Sequence, residues 1–414
     1  MIPNAQIRID KDRLWQDLEQ MGAVGATPTG GVRRLALSIE DKLGRDLFVR
    51  WCVDAGYGVR IDALGNIFAR RHGADAGLAP VLTGSHLDTQ PVAGKYDGPY
   101  GVLAGLEVLR TLDRHQVQTL HPIEVVMWTN EEGARFQPPS LSAATVAGVL
   151  SLEEALATTD SDGVRFGDAL RSIGYAGDIN PVRPAVHCYI EAHIEQGPVL
   201  EGAGMDIGVV KGIVGVHAYE VELTGQAAHT GTTPIAYRRD ALLGAARIVA
   251  AVNELAMRYE PCGRATVAFM RVSPNARSVI AEKVLLTADC RNTDDAQLVA
   301  MNEELLSLFA RVAEQGRLEL RTRNYWSVLP THFPDLCTAP IRAAAQRLGY
   351  SYQDIHSGAG HDAVHLARIA PSAMIFIPCK DGISHHEAES ITESQAEAGA
   401  NVLLHTLLEL AGTV

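Results

Sequence analysis

The run Val81-Leu82-Thr83-Gly84-Ser85-His86-Leu87-Asp88-Thr89 decides the fold of this 414-residue chain. It starts after Pro80 as an apolar stretch of strand length and ends in a polar loop that leads to Lys95-Tyr96-Asp97-Gly98. Gly101 to Arg114 then carries Val102, Leu106, Leu109 and Leu112 at helical spacing. Strand, loop and helix follow in that order. Ile123 to Trp128, Tyr189 to Ala192 and Ala373 to Ile377 are further apolar runs, and each enters a polar loop as a buried strand does. Parallel strands separated by helices predict an α/β domain whose open sheet is mixed, mostly parallel and flanked by helices.

Between Val214 and Arg323 the texture changes. An alternating strand (Val216 to Thr224) and a long helix (Arg238 to Arg258) come first. Two strands (Ala265 to Val272 and Val284 to Arg291), a helix (Asp295 to Glu314) and a strand (Leu318 to Arg323) complete the order βαββαβ. That order suits a small antiparallel, ferredoxin-like sheet backed by helices. Chemistry-bearing residues resume only after it, from His356 to Glu389. The expected organisation is a discontinuous catalytic domain, 1–211 with 330–414, and an inserted second domain, 212–329, with linkers near Lys211-Gly212 and Leu329-Pro330.

A chain with 47% hydrophobic residues has enough apolar surface for a large core. Its net charge of -13, with Lys and Arg scattered, argues against nucleic acid or an anionic membrane as partner, because both demand clustered basic residues. The first twenty residues lack a continuous apolar core, and no later run has the length of a membrane span, so a cytoplasmic protein is expected. Six cysteines without Cys-x-x-Cys spacing read as reduced, mostly buried thiols.

His86, Glu131, Glu132, His193 and His385 all fall at or just past the carboxyl ends of the apolar runs. In an open α/β sheet that edge is where ligands bind. His86 and His193 can each give an imidazole nitrogen to one divalent cation. Glu132 and His385 can hold a second, and Asp97 can bridge the two with both carboxylate oxygens. Asp88, two residues past His86, is placed to accept the other ring N–H of that ligand. Of the adjacent glutamates only one is expected to face a metal. Glu131 is then free to act as a base, taking a proton from water and passing it to a leaving nitrogen.

The stretches Gly84-Ser85-His86-Leu87-Asp88-Thr89, Thr129 to Phe136, His193-Ile194-Glu195-Gln196-Gly197-Pro198, Ala228 to Pro234 and Ser357 to Ala363 resemble the hydantoinase/carbamoylase family of dinuclear-metal amidohydrolases. That family contains N-carbamoyl-L-amino-acid hydrolases, β-ureidopropionases and allantoate amidohydrolases, and is related to zinc aminopeptidases. The similarity runs from about Leu37 to His405, and the His193–Pro198 run marks the ureido-cleaving branch.

The resemblance implies His86, Asp97, Glu132, His193 and His385 as ligands of two divalent ions, zinc or manganese, with cobalt and nickel also suited. It implies Asp97 as the bridge and Glu131 as the general base. It further implies a lid domain that dimerises, so that His229 reaches the neighbouring subunit's site and binds the developing oxyanion, while Asn275 and Arg291 hold the substrate carboxylate. Gln196, next to a ligand, suits a hydrogen bond to the ureido amide, and Gly358 and Gly360 suit a close approach of main chain to substrate. Ser142-Ala143 and the run Ser278 to Glu282 depart from the family pattern and leave the choice of substrate open. The expected activity is hydrolysis of the ureido C–N bond of an N-carbamoyl-L-amino acid. Allantoate or a β-ureido acid is the alternative substrate, followed by a peptide or N-acyl amino acid; a binding protein without catalysis is the alternative class.

Overall fold

The computed structural model describes residues 7–414. The strands are β1 (Gly58–Ile61), β2 (Ile67–Arg71), β3 (Val81–His86), β4 (Ile123–Trp128), β5 (Cys188–Ile194), β6 (Ile207–Ile213), β7 (Gly215–Thr224), β8 (Ala228–His229), β9 (Arg264–Ser273), β10 (Val279–Ile280), β11 (Lys283–Asn292), β12 (Glu319–Val328), β13 (Thr331–His332), β14 (Tyr352–Ser357) and β15 (Ser372–Ile377). Two compact units emerge. One comprises residues up to Lys211 together with Phe333–Val414, and the other Gly212–His332.

In the first unit the order β4-β3-β5-β15 forms the parallel centre of the sheet. Every residue of these four strands is buried, which explains their mostly apolar runs: a parallel sheet covered on both faces offers no solvent-facing position, and Glu124 and Glu191 within it are buried with partners. The sheet is mixed, and β14 also joins it by pairing with β6. β1 and β2 extend it antiparallel beyond β4, and β6 and β13 antiparallel beyond β15. Helix Pro99–Arg114 packs on β3 and β5, and helix Glu393–Ala411 on β15 and on helix Pro99–Arg114. The carboxyl ends of the four parallel strands thus form one edge, with the loops carrying the polar candidates above it.

In the second unit the sheet order is β12-β7-β11-β9, antiparallel throughout. With helices Ala241–Arg258 and Asp295–Gly316 this is the βαββαβ, ferredoxin-like arrangement. Val221, Leu223 and Leu286 from the sheet meet Ile248, Leu305 and Phe309 from the helices in its core. The first helix begins at Ala241, not Arg238, because the Asp240 carboxylate caps it by accepting from Leu243 N. β12 runs on to Val328, past the expected end at Arg323, because a register shift at Asn324/Trp326 lets a polar segment keep pairing with β7. The second unit also ends later than 329: Thr331 and His332 pair with Ile213 and Gly212. Just outside that pair, Phe333 N donates to Lys211 O at 2.8 Å. Among the described residues no helix is long and apolar enough to cross a membrane.

Candidate metal centre

His86 is the last residue of β3, and His193 lies near the end of β5. Asp97 precedes helix Pro99–Arg114, while Glu131 and Glu132 follow β4 and His385 follows β15. Neighbouring parallel strands bring these remote positions together. His193 Nε2 lies 3.2 Å and His86 Nε2 3.8 Å from Asp97 Oδ1. On the other side His385 Nε2 lies 3.3 Å from both Asp97 Oδ2 and Glu132 Oε2. Two donors about 2.1 Å from a tetrahedral ion stand roughly 3.4 Å apart, so these are the separations of atoms that share an ion. His86, Asp97 and His193 form one donor group, and Asp97, Glu132 and His385 another.

Main-chain carbonyls set the ring tautomers. His86 Nδ1 faces Asp88 O and His193 Nδ1 faces Ile194 O, each at 2.9 Å. Each Nδ1–H donates outward and leaves Nε2 as a lone pair toward Asp97. His193 Nε2 is buried and makes no aligned hydrogen bond, as fits a metal donor. The His86 ring packs so closely on Gly98 (φ +85°) that a Cβ there would lie 2.4 Å from its Cε1. A third group, Glu191, His193 and His361, is already satisfied: Glu191 accepts from Ser85 Oγ and Ala363 N, and His361 Nε2 bonds Ser357 Oγ.

The electrostatics demand positive charge at the same atoms. Hydrogen bonds with Asp97 and Glu132 raise His385 to about 10. Burial opposes a charge on His193, but Asp97 outweighs it and raises that ring to about 9. Burial likewise works against an ionised Asp97, yet His193 and His385 hold its carboxyl well below the usual range. A divalent ion answers the same demand without a proton. Glu131, 8% exposed, has Oε2 3.5 Å from His86 Nε2. Burial first, then the charges of Asp362, Glu132, Asp88 and Asp97, push it well above the ordinary carboxylate range. A carboxylate so placed accepts a proton readily.

Asp88 does not hold the His86 ring through its carboxylate, which lies 3.9 Å from Nδ1. Its main-chain carbonyl does that, and the carboxylate turns to the adjacent loop, where it accepts from Glu131 N and Glu132 N at 3.2 Å each. Parallel pairing of β3 and β4 brings the two loops side by side, so the side chain braces the glutamate pair instead. Gln196 also differs from expectation. Its Nε2 donates to Asp97 Oδ2 at 2.7 Å and to Ser384 Oγ at 3.2 Å.

Three further residues escaped the sequence analysis. Gln90 donates from N and Nε2 to the two oxygens of Glu132, Ser384 Oγ donates to Asp97 Oδ2 at 2.6 Å, and Glu389 accepts from Tyr96 N and Asp97 N. Their one signal was adjacency to a motif: Gln90 follows Thr89, and Ser384 precedes His385. Asn130, Gln196 and His385 all hold left-handed backbone, with φ of 61°, 58° and 53°. Such non-glycine strain gathers at functional loops. Gly358 and Gly360 follow β14 with open space where a Cβ would stand.

His229, Asn275 and Arg291 belong to the second unit. His229 Nδ1 accepts from Gly231 N and Thr232 N at 3.0 and 3.1 Å, which leaves Nε2–H as an outward donor. Arg291 Nη2 lies 3.4 Å from Asp289 Oδ2, with its guanidinium 5.8 Å from the Trp326 ring. Asn275, exposed, follows β9 with φ 53°.

A helix-flanked α/β sheet whose strand ends carry two donor groups around one shared carboxylate, with a glutamate to spare, defines a hydrolase with a metal centre. Residues 82–409 match Peptidase family M20/M25/M40, and the chain belongs to that family, whose amidohydrolases are metal-dependent. It is 43% identical over 412 residues to the N-carbamoyl-L-amino-acid amidohydrolase of Rhizobium meliloti, covering 100% of this chain and 99% of the relative. A protein of the same description from Geobacillus stearothermophilus is 39% identical, covering 97% and 99%. The crystal structure of a hydantoinase/carbamoylase-family amidase from Burkholderia multivorans is similar with a TM-score of 0.95 at 50% identity, covering 98% of each chain. The chain is an enzyme of this amidohydrolase group, a hydrolase of C–N bonds.

Proposed function

We propose that this enzyme hydrolyses the ureido C–N bond of N-carbamoyl-L-amino acids, with two divalent ions in each subunit. His86, His193 and Asp97 would hold one ion, and Glu132, His385 and the same Asp97 the other. Zinc or manganese suits these donors, and so do cobalt and nickel. When bound, the pair supplies Lewis acidity to the scissile carbonyl and to the attacking water.

Glu131 takes a proton from that water and delivers it to the leaving nitrogen. The water oxygen bonds to the ureido carbon, the C–N bond breaks, and the carbamic acid fragment decomposes, so that the products are amino acid, carbon dioxide and ammonia. Arg291 and Asn275 of the lid hold the substrate carboxylate, the guanidinium meeting it through parallel N–H donors. His229, with Nε2–H outward, donates to the oxygen that becomes negative, in the site of a second subunit. The edge strands of the second unit expose Phe269, Met270, Tyr325 and Trp326, apolar surface that supports a homodimer through this lid. A cytoplasmic enzyme without a nucleic-acid or membrane partner is the reading that the scattered basic residues and the net charge of -13 support.

The observation that carries the proposal is Asp97, whose two oxygens each lie within 3.3 Å of a different histidine. The test is ammonia release from N-carbamoyl-α-amino acids, N-carbamoyl-β-alanine, allantoate and a dipeptide, using chelated enzyme resupplied with each metal. N-carbamoyl-L-α-amino acids should be the preferred substrates, and Glu131→Ala should lower turnover by about 10²- to 10⁴-fold with metal content kept. Activity on the dipeptide alone, or full turnover in Glu131→Ala, would overturn the assignment.

A further inference from the structure

We infer that Glu389 is the positioning residue that ties the loop of Asp97 to the loop of His385 and so fixes where the Asp97 carboxylate stands between the two halves of the centre. This rests on the bridging role proposed for Asp97 above. Glu389 is 5% exposed and sits on the same loop as His385. Its Oε1 accepts two main-chain N–H groups, from Tyr96 at 2.8 Å and from Asp97 at 3.1 Å. The main chain approaches so closely that a Cβ on Gly94 would stand 2.3 Å from the Glu389 side chain. No other side chain of the His385 loop grips the Asp97 main chain among the described residues.

Ser384 completes the link. Its Oγ lies 2.6 Å from Asp97 Oδ2 and 3.3 Å from Glu389 Oε2. A hydroxyl has one proton, and the shorter contact takes it. Asp97 Oδ2 therefore receives Ser384 Oγ–H and Gln196 Nε2–H, whereas Oδ1 is left to the rings of His86 and His193. The carboxylate is clamped at its main chain by Glu389 and at one oxygen by Ser384 and Gln196. Turning the group out of its plane breaks the contacts of Ser384 and Gln196, and shifting its main chain breaks those of Glu389. An outer partner of this kind acts through the ligand and never touches substrate.

The test compares Glu389→Ala and Glu389→Gln in the full chain. Metal content after dialysis against buffered zinc, and the dissociation constant of each ion by competition with a chelating dye, are read beside thermal unfolding of the chelated protein. The amide oxygen of glutamine still accepts both N–H groups, so Glu389→Gln should hold both ions within about 3-fold of wild type. Glu389→Ala should weaken at least one ion by ~10–100-fold, the range typical of a lost outer partner. Should alanine fail to fold, Glu389→Asp, one methylene short of the N–H pair, takes its place with the same expectation. Wild-type metal affinity in a folded Glu389→Ala or Glu389→Asp overturns the inference even if its melting point drops, and so does a glutamine variant as weak as alanine. A wild-type protein that binds no pair of ions would instead overturn the metal centre itself, so the two failures are told apart.

Discussion

The two halves of the centre are built differently. His86 and His193 stand on strands, each 1% exposed, with their rings fixed by main-chain carbonyls of neighbouring residues. His385 stands on a loop past β15, its side chain 48% exposed and its backbone left-handed, and Glu132 shares that loop-borne character. The strand half inherits its precision from the sheet ladder. The loop half needs separate braces: Gln90 on Glu132, Thr27 and Thr29 on Glu387, and Glu389 on the Asp97 main chain. Rigid donors and braced donors therefore divide the work, and the braced half is the one open to solvent.

Asp97 is the one residue common to both donor groups, so under the proposed function its loss should exceed every other. Asp97→Ala should weaken both ions and lower ammonia release by more than the ~10–100-fold typical of an outer partner. Retention of either ion at wild-type affinity, measured by metal analysis after dialysis, would break the idea of a shared ligand.

The next effect separates the halves. In chelated protein, His193→Ala removes a buried ring and leaves Ile194 O and packed neighbours unserved, at a cost of about 1–3 kcal/mol. His385→Ala takes a half-exposed loop cation from Asp97 and Glu132, and with solvent screening its cost should stay below that of the buried ring, at roughly 1 kcal/mol. Denaturant unfolding of the two variants without metal checks this. Equal losses would mean that the loop half is as much part of the framework as the strand half. With metal present, loss of an ion should dominate in both.

The smallest effect concerns the framework beside the strand half. Burial, reinforced by Arg368, lowers His365 to about 4. Its Nδ1 is buried without a partner. A histidine depressed in the fold binds fewer protons there than in the unfolded chain, whose pKa is ~6.5. Its contribution is thus fully present above that value and declines as pH falls toward about 4. Between about pH 6.5 and 4.5 chelated His365→Asn should lose less stability on acidification than wild type does, by the share that His365 contributes. An unchanged slope in the variant would assign the acid sensitivity to other groups.

How much of this was legible in the sequence follows from the same contrast. The four parallel strands could be read because strands buried on both faces are mostly apolar, as in Ile123 to Trp128, where Glu124 is the one charged residue. β1 and β2 were missed because the short strands Gly58–Ile61, at the sheet edge, and Ile67–Arg71, beside it, carry arginines, and Arg60 and Arg70 pair across the sheet with Glu124. Donor identity at the strand ends was legible, since histidine and carboxylate after an apolar run are unusual enough to notice. The braces were not. Whether the Asp88 carboxylate faces His86 or the Glu131 main chain, and whether Gln196 faces substrate or Asp97, depends on loops that meet only in three dimensions. Glu389 contacts a residue 292 positions away, and no local pattern encodes such a partner.

The hydrogen bond from Phe333 N to Lys211 O has a consequence for how such a chain can be rearranged. The excursion of 212–332 leaves and returns at adjoining main-chain atoms, so removing it opens no gap for the remaining polypeptide to span. A short turn joining Lys211 to Phe333 would be stereochemically sufficient to close the first unit's chain on itself.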